Sequence, residues 1–147
     1  MKSLFLMLLM GSILFLGSCS KDEISEIQDY IDDNGLTGFT QTPEGVFIKY
    51  DNPGTDQRPN LGSTVKVHYR GKLTNGSTFD SSFERGTPID IALTQTIQGW
   101  QIGIPKFGIG GKGTLIIPPS LGYGKSGSGS IPGDAILIFD IELINFQ

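Results

Sequence analysis

The sequence of 147 residues has very few of the side chains on which much enzyme chemistry depends. It contains one cysteine, one histidine and one tryptophan. A single cysteine excludes a disulfide within the chain and any cysteine-rich zinc site, and His68 has no second histidine with which to bind a metal or build a triad. Acidic residues outnumber basic ones by 15 to 11. Nucleic-acid binding is therefore not expected, because it needs a basic surface to neutralise phosphates.

Long apolar runs are also missing, apart from one at the N-terminus. Residues 3–16 form an apolar run after Lys2, and it is shorter than the roughly 20 residues that span a membrane. Small residues follow, a pattern typical of a secretory signal. The segment 16–19, Leu-Gly-Ser-Cys, resembles a bacterial lipobox. We therefore predict a lipoprotein signal peptide at 1–18 and acylation of Cys19, although an ordinary signal with an incidental cysteine is the alternative.

Acylation would make the protein a lipid-anchored component of the cell envelope, at the outer membrane and facing the periplasm or the cell surface. The acidic segment 20–23 directly behind Cys19 resembles the surface-export signal of some Bacteroidetes lipoproteins. A solvated linker explains the same residues equally well. The sequence leaves the membrane leaflet and the client protein open.

Residues 19–43 are predicted to form a tether and a short amphipathic helix that precede the main domain. Apolar side chains recur there at helical spacing, at Ile24, Ile27, Tyr30 and Ile31. Asn34-Gly35 predicts the end of this helix. The apolar stripe would pack on its own chain, which is the preferred interpretation, or pair with a second copy to form a dimer. The composition of 37–43 favours a linker, so the domain boundary is placed there.

The clearest element of the main domain is a hairpin. Residues 65–70 alternate apolar and polar side chains, which predicts a strand with one buried face. Asn75-Gly76 favours a tight turn. After the turn, Phe79 and Asp80 come close to Tyr69 on the first strand. Two aromatic side chains and one acid on an apolar face indicate a binding pocket.

The rest of the domain, residues 44–147, follows the same pattern. Further alternating segments predict strands at 46–50, 89–93, 113–118 and 135–144. A short helix is expected after residue 97, distorted by Pro105 because proline lacks a backbone donor. A glycine–serine loop is expected at 120–133. These elements indicate an α+β domain with five or six strands and one short helix.

Seven motifs of this domain occur in the order and at the spacing of a known family. They are VHYxG at 67–71, NG at 75–76, FDSS at 79–82, IQGW at 97–100, LGYG at 121–124, IP at 131–132 and FDIEL at 139–143. Together they resemble the FKBP-type peptidyl-prolyl isomerases. The resemblance implies an antiparallel sheet curled around the short helix, with a pocket between them.

The resemblance also implies a set of pocket residues. The catalytic set would be Tyr69, Phe79, Asp80, Trp100, Tyr123 and Phe139, with Trp100 as the floor. The substrate-binding set would be Ile89, Ile91, Thr96, Ile97 and Ile131. In the family, the backbone N–H at Ile97 and the hydroxyl at Tyr123 bind substrate carbonyls. Ile89 and Ile91 stand where many members carry phenylalanine, and Thr96 stands where an apolar residue is usual.

The implied activity is cis–trans isomerisation of X–Pro bonds in proteins outside the cytoplasm, without a cofactor or a metal. A dry aromatic pocket would favour the twisted amide over the planar one. One alternative is a module that keeps the fold and binds proline-containing segments, or acts as a chaperone, without turnover. Another is a structural surface lipoprotein with a residual pocket. Proline-containing polypeptides are the expected partners, and macrolide inhibitors are further candidate ligands.

Overall fold

The computed structural model describes the backbone of residues 18–147 and the side chains from Asp22 onward. Except for its last residue, the predicted signal peptide at 1–18 lies outside the described residues, as does the side chain of Cys19. None of the helices in the described part of the chain has both the length and the apolar character needed to cross a membrane.

Seven strands of the described chain form one antiparallel sheet. They are β1 Thr40–Gln41, β2 Phe47–Asn52, β3 Thr64–Leu73, β4 Thr78–Ser81, β5 Ile89–Ala92, β6 Lys112–Ile117 and β7 Leu137–Phe146. Their order is β1-β2-β6-β7-β3-β4, and β5 pairs with β3 as well. The predicted α+β fold with an antiparallel sheet is confirmed. The sheet has one strand more than the five or six predicted, and this strand, β1, has only two residues.

Three α-helices accompany the sheet among the described residues, and they are α1 Ser18–Asp33, α2 Ser82–Arg85 and α3 Gln98–Gly103. The chain continues from α3 into a 3-10 turn at Ile104–Lys106. Pro105 lies in that turn and cannot donate the next helical hydrogen bond. The predicted distortion of this helix is therefore confirmed. α2 is absent from the sequence-based expectation.

The Asn34-Gly35 pair ends α1 as predicted. Gly35 adopts a left-handed conformation with φ of 60°. Its N–H donates to the Asp32 carbonyl oxygen at 3.0 Å, and the Leu36 N–H donates to the Ile31 carbonyl oxygen at 2.9 Å. These two bonds form the pattern of a Schellman motif, which satisfies carbonyls that the helix end would leave unpaired.

The sheet has a front face, which packs against α3, and a back face, which packs against α1. Successive residues of a strand point to opposite faces, so both clusters draw on the same strands. On β7, Phe139 and Ile141 belong to the front cluster and Ile138 to the back cluster. The buried front cluster consists of Val46, Ile48, Val65, Val67, Tyr69, Leu93, Trp100, Ile104, Phe107, Leu115, Ile117, Ile131, Leu137, Phe139, Ile141 and Leu143.

The back cluster holds α1 on the sheet. Ile27 and Ile31 of the helix pack with Phe47, Ile116 and Ile138 of the sheet. Each of these side chains is at most 6% exposed. The apolar stripe of α1 therefore packs on its own chain, which is the interpretation that the sequence favoured.

The predicted linker at 37–43 takes part in the sheet. Within it, β1 pairs with β2, with Gln41 opposite Phe47. The hydroxyl of Thr42 accepts a hydrogen bond from the Val46 N–H at 3.1 Å. The chain is thus hydrogen-bonded to the sheet between α1 and β2. The division of the chain at this segment stays a prediction.

Candidate active site

A cavity of about 440 Å³ opens on the front face of the sheet. All eleven site residues predicted from the sequence line it: Tyr69, Phe79, Asp80, Ile89, Ile91, Thr96, Ile97, Trp100, Tyr123, Ile131 and Phe139. Gln95, Ser128, Gly129 and Ser130 complete the wall. The structure therefore brings the predicted residues together, while their individual roles in catalysis stay predictions.

Four aromatic side chains of the cavity contact one another edge to face. The ring of Trp100 on α3 lies 5.2 Å from that of Tyr69 and 5.3 Å from that of Phe139, between centroids. The ring of Phe79 lies 5.6 Å from that of Phe139. The interplanar angles of these pairs are 80° to 86°, an arrangement that the aromatic quadrupoles favour. The rings therefore hold one another in place.

Gly71 on β3 makes room for two of these rings. A Cβ atom on Gly71 would lie 2.4 Å from the Phe79 ring and 3.0 Å from the Phe139 ring. Contacts this short are essentially never made, so any other residue at this position would displace Phe79. The glycine of the VHYxG motif is thus required by the close approach of the rings.

One edge of the cavity is a polar corner made by three side chains. The Tyr69 hydroxyl donates to one oxygen of the Asp80 carboxylate, and the Arg85 guanidinium donates to the other. Arg85 also donates from Nη2 to the Tyr69 hydroxyl oxygen at 3.1 Å. The carboxylate is therefore held at both oxygens, with a positive charge beside it.

The surroundings of the polar corner shift the pKa values of Tyr69 and Asp80 in opposite directions. Burial raises the pKa of Tyr69, and its hydrogen bond to Asp80 adds to the rise, against a smaller opposite effect of Arg85. Burial alone would raise the pKa of Asp80, but the hydrogen bonds from Tyr69 and Arg85 outweigh it and leave that pKa below its ordinary value. At neutral pH the carboxyl is therefore ionised and the phenol is neutral.

Arg85 reaches the corner because α2 places it there. The Ser81 hydroxyl accepts a hydrogen bond from the Glu84 N–H at 3.2 Å at the start of the helix. Gly86 ends the helix with φ of 73°. The sequence analysis missed Arg85, since one helical turn shows no periodicity. The serine before the turn and the glycine after it are cap signals that could have indicated it.

Several hydrogen-bond donors of the cavity residues have no partner within the described chain. The backbone N–H of Ile97 and the hydroxyl of Tyr123 take part in none of the hydrogen bonds there. Ile97 directly precedes α3, and the Tyr123 side chain is 39% exposed. The Trp100 indole N–H is buried and also unpartnered. A bound peptide could supply carbonyl acceptors to such donors.

Comparison with known proteins identifies the family. A family model described as FKBP-type peptidyl-prolyl cis-trans isomerase matches residues 55–144, which is more than half of the chain. The chain belongs to the FKBP-type peptidyl-prolyl cis-trans isomerase family. The matched range contains every residue that lines the cavity. The resemblance read from the sequence motifs is thus confirmed.

Relatives from distant organisms share this FKBP domain. The "FKBP-type peptidyl-prolyl cis-trans isomerase FkpA" of Aeromonas hydrophila is 42% identical over 110 residues, which are 75% of this chain and 41% of the relative. "FK506-binding protein 2" of Dictyostelium discoideum is 48% identical over 105 residues, 69% of this chain and 79% of the relative. The crystal structure of FkpA from Escherichia coli matches with a TM-score of 0.78 at 33% identity, over 87% of this chain and 61% of that one. The chain spans less than half the length of the Aeromonas relative.

The three positions that depart from the usual FKBP pattern, Ile89, Ile91 and Thr96, line the cavity. Ile89 and Ile91 share one side of β5 and are half-buried. The Thr96 hydroxyl donates to the Leu93 carbonyl oxygen at 2.7 Å, so its polar atom is satisfied inside the protein. Ile131 is held by paired backbone bonds with Ser128, at 2.9 and 3.0 Å. The FKBP pocket is open with these side chains in place.

Sequence reasoning also missed part of the FKBP pocket wall. Gln95 and residues 128–130 line the cavity without belonging to the motifs. Residues 128–130 lie in the glycine–serine loop, whose composition predicts a loop but does not show which surface it covers. Gln95 lies in a single 3-10 turn at Leu93–Gln95. Among the described residues, no cluster of three or more His, Cys, Asp or Glu side chains is placed to hold a metal ion.

Proposed function

We propose that the cavity accelerates cis–trans rotation about X–Pro bonds in polypeptides outside the cytoplasm. Rotation of a peptide bond requires loss of planarity, at a cost of about 20 kcal/mol. In the twisted state amide resonance is broken, and the charge separation between the carbonyl and the nitrogen falls. A dry aromatic cavity therefore binds the twisted amide more tightly than the planar one, which is what lowers the barrier.

The cavity residues suggest how a substrate would lie. The prolyl ring would rest on the indole of Trp100, with the rings of Phe79 and Phe139 around it. The backbone N–H of Ile97 and the hydroxyl of Tyr123, unpartnered in the described chain, would bind carbonyl groups on either side of the proline. These contacts would orient the peptide while one bond rotates.

Asp80 would act through its electric field near the rotating carbonyl. Both of its oxygens accept hydrogen bonds, from Tyr69 and Arg85, and its pKa is lowered. A carboxylate with a lowered pKa is a weak base at neutral pH. The rotation forms and breaks no covalent bond, so it requires neither a nucleophile nor a proton donor.

The observation that carries this proposal is the open cavity of about 440 Å³ on a buried tryptophan floor, lined by residues with unpartnered donors. Exchange NMR spectroscopy on a Leu-Pro peptide tests it, with folding confirmed by circular dichroism. We expect faster cis–trans exchange in the presence of the protein. Trp100 is the only tryptophan, so its fluorescence reports peptide binding independently. Binding without acceleration would assign the cavity to the alternative, a module that holds proline-containing segments.

Macrolide binding to the same cavity is a further part of the proposal. One relative carries the name "FK506-binding protein 2", and the cavity offers an aromatic floor to a compact apolar ring. FK506 is expected to change the fluorescence of Trp100 and to inhibit the isomerisation. Inhibition without any fluorescence change would place the inhibitor elsewhere.

We further propose that Cys19 carries the lipid that anchors the protein in the cell envelope, at the outer membrane. The lipobox-like segment 16–19 supports this, because the only cysteine directly follows the apolar run. One acyl chain binds a membrane only marginally, so several chains on this cysteine are expected. Mass spectrometry of the mature protein should find acylated Cys19 at its N-terminus. Cys19→Ala should release the protein or leave the signal uncleaved, and an unmodified Cys19 contradicts the proposal.

The acidic segment 20–23 supports the more specific hypothesis of a Bacteroidetes-like lipoprotein exported to the cell surface. Protease treatment of intact cells separates the two orientations, because only a surface-facing protein is digested. Replacing the acidic residues Asp22 and Glu23 with alanine should then move the protein to the periplasmic side. An unchanged orientation would leave these residues a structural role in α1, where Glu23 accepts a hydrogen bond from the Ser120 hydroxyl in place of the solvated linker expected from the sequence.

Dimerisation through α1 is the alternative use of its apolar stripe, and we do not expect it. Ile27 and Ile31 already pack on the back face of the same chain, so a second copy would have to bind another side of the helix. We therefore expect sedimentation of the full chain to give a monomer. A dimer that persists after substitution of exposed α1 residues would place the contact outside this helix.

A further inference from the structure

A buried serine connects the backbone of a cavity residue with α2. Ser82, the first residue of α2, is 0% exposed. Its hydroxyl oxygen accepts a hydrogen bond from the Tyr69 N–H at 2.7 Å and lies 3.3 Å from the Tyr69 carbonyl oxygen, to which it can donate. The Nδ1 atom of His68 lies 2.8 Å from the same hydroxyl. One hydroxyl thus contacts both backbone polar groups of Tyr69.

This contact fills a gap in the sheet. On the edge of β3 away from β7, β5 pairs with residues 64–67 and β4 pairs with residues 70–72. Neither strand pairs with residues 68 and 69. The N–H of Tyr69 would therefore lack a strand partner on this edge, at a cost that buried polar groups rarely bear. The Ser82 hydroxyl supplies the acceptor that this N–H would otherwise lack.

We propose that Ser82 is a positioning residue for the cavity, which sets Tyr69 and Arg85 relative to each other around Asp80. Both Tyr69 and Arg85 hydrogen-bond to that carboxylate. Arg85 lies on the same four-residue helix as Ser82, and a helix of one turn is not stable by itself. The Ser82 hydroxyl is the contact that joins this turn to the backbone of Tyr69. This inference rests on the proposed isomerase activity.

The bond from the Tyr69 N–H to the Ser82 hydroxyl does not depend on His68, because the hydroxyl can bond to Nδ1 either as a donor or as an acceptor. A neutral His68 can accept the Ser82 hydroxyl proton at Nδ1. A protonated His68 would instead donate to the hydroxyl oxygen, and the Ser82 proton would turn to the Tyr69 carbonyl oxygen. The Tyr69 N–H keeps its acceptor in either case. His68 contacts α2 separately, through its ring, which stacks on that of Phe83 with 4.6 Å between centroids. The Ser82 hydroxyl is thus the part of the anchor that contacts the Tyr69 backbone.

The test compares Ser82→Ala with a matched control, Ser63→Ala, in the full chain. Ser63 is also buried, at 5% exposure, and its hydroxyl also accepts a backbone N–H, that of Asn60 at 3.2 Å. Ser63 does not line the cavity. Both variants should lower the thermal midpoint. Only Ser82→Ala should lower kcat per folded molecule, by about tenfold with KM changed less than about twofold, the scale of one buried hydrogen bond.

Two further variants keep the inference testable if Ser82→Ala does not fold. Ser82→Cys keeps a weak donor in a slightly larger side chain, so its kcat should lie between wild type and a tenfold loss. His68→Ala leaves the hydroxyl free to turn to the Tyr69 carbonyl oxygen but also removes the ring that stacks on Phe83 of α2, so its kcat should fall by less than tenfold. A wild-type kcat in Ser82→Cys together with a large loss in His68→Ala would overturn the proposed role of the hydroxyl.

The outcomes separate this inference from the proposed function. If the wild-type protein does not accelerate exchange, the isomerase proposal itself fails. If the wild type is active and Ser82→Ala matches Ser63→Ala in kcat, Ser82 is a stabilising residue only and the positioning role is wrong. A selective loss of kcat in Ser82→Ala, with Trp100 fluorescence still reporting peptide binding, supports the positioning role.

Discussion

The two faces of the sheet differ in what covers them, although neighbouring residues of the same strands build both. Ile138 of β7 lies under α1 on the back face, whereas Phe139, the next residue, lines the cavity on the front face. On the back, isoleucine side chains and Phe47 pack against a helix of the same chain. On the front, aromatic rings meet edge to face and leave a space open to solvent.

This difference follows from the side chains on each face. Branched aliphatic side chains adapt to one another and close a contact, so the back face contributes burial and hence stability. Rigid rings held at right angles cannot close the front face, and two of them, Tyr69 and Trp100, carry polar atoms. The comparison predicts that substitutions on the back face change stability, whereas substitutions around the cavity change activity.

Removal of α1 tests the back face and should have the largest effect. A chain of residues 36–147 lacks Ile27 and Ile31 and exposes Phe47, Ile116 and Ile138. We expect it to unfold cooperatively with a free energy of unfolding lower by about 3–5 kcal/mol, the cost of losing large buried side chains. Its kcat/KM per folded molecule should equal that of the longer chain. Chemical denaturation and peptide exchange measure the two quantities.

The absence of a cooperative transition in residues 36–147 would show that α1 belongs to the core of the domain. The prediction that this segment folds alone, which rests on the complete family domain after residue 43, would then be wrong. A single substitution, Ile27→Ala, would locate the effect in the back cluster because Ile27 is 0% exposed.

Phe79→Ala tests the front face and should cause the largest loss of activity. Without this ring, more water reaches the bound amide and the planar form regains its advantage over the twisted one. We expect kcat/KM to fall on the order of 100-fold, or about 2.7 kcal/mol of barrier. Ile138→Ala is the counterpart on the back face and should lower stability with kcat/KM per folded molecule unchanged. Equal loss of activity in the two variants would contradict the division between the faces.

Asp80→Asn should lower activity less than loss of the Phe79 ring does. The substitution keeps the volume and removes the charge that Arg85 and the Tyr69 hydroxyl contact. A decrease in kcat of about tenfold is expected, equivalent to about 1.4 kcal/mol. Exchange measured at saturating peptide isolates this step from binding. A loss as large as that of Phe79→Ala would show that the charge contributes as much as the dry cavity.

Tyr123→Phe should have a smaller effect than Asp80→Asn and should change substrate binding alone. Its hydroxyl has no partner within the described residues and is free to bind a substrate carbonyl. Loss of one such bond, worth about 1 kcal/mol, should raise KM about fivefold. The kcat should remain near that of the wild type, since the hydroxyl does not contact the polar corner. A decrease in kcat with an unchanged KM would assign the hydroxyl to the rotating bond.

The sequence predicted the front face better than it predicted the contacts that support it. Alternation along β3 and the FKBP motifs placed the rings and Asp80 in one pocket, because period-2 patterns fix which side chains share a face. Arg85 and Ser82 act from a single helical turn, which has no periodicity to detect. The stripe of α1 was visible, but an amphipathic pattern does not say which surface it covers. That information lies in long-range packing.

The smallest expected effect is that of pH on kcat/KM. It shows whether the Asp80 carboxylate acts through its electric field or by proton transfer. The pKa of Asp80 is lowered, so the carboxylate stays ionised throughout neutral pH and its contribution to stability is lost only as pH falls below about 4, through that lowered value. The pKa of Tyr69 is raised, so its neutral form persists to above about 10 and its contribution is lost only as pH rises further. Neither group changes charge between pH 6 and 8. We therefore expect a nearly flat kcat/KM over that range, measured by peptide exchange in buffers of constant ionic strength. A steep slope in the wild type that disappears in Asp80→Asn would show that the carboxyl transfers a proton, and the front face would then act as an acid–base site as well as a dry cavity.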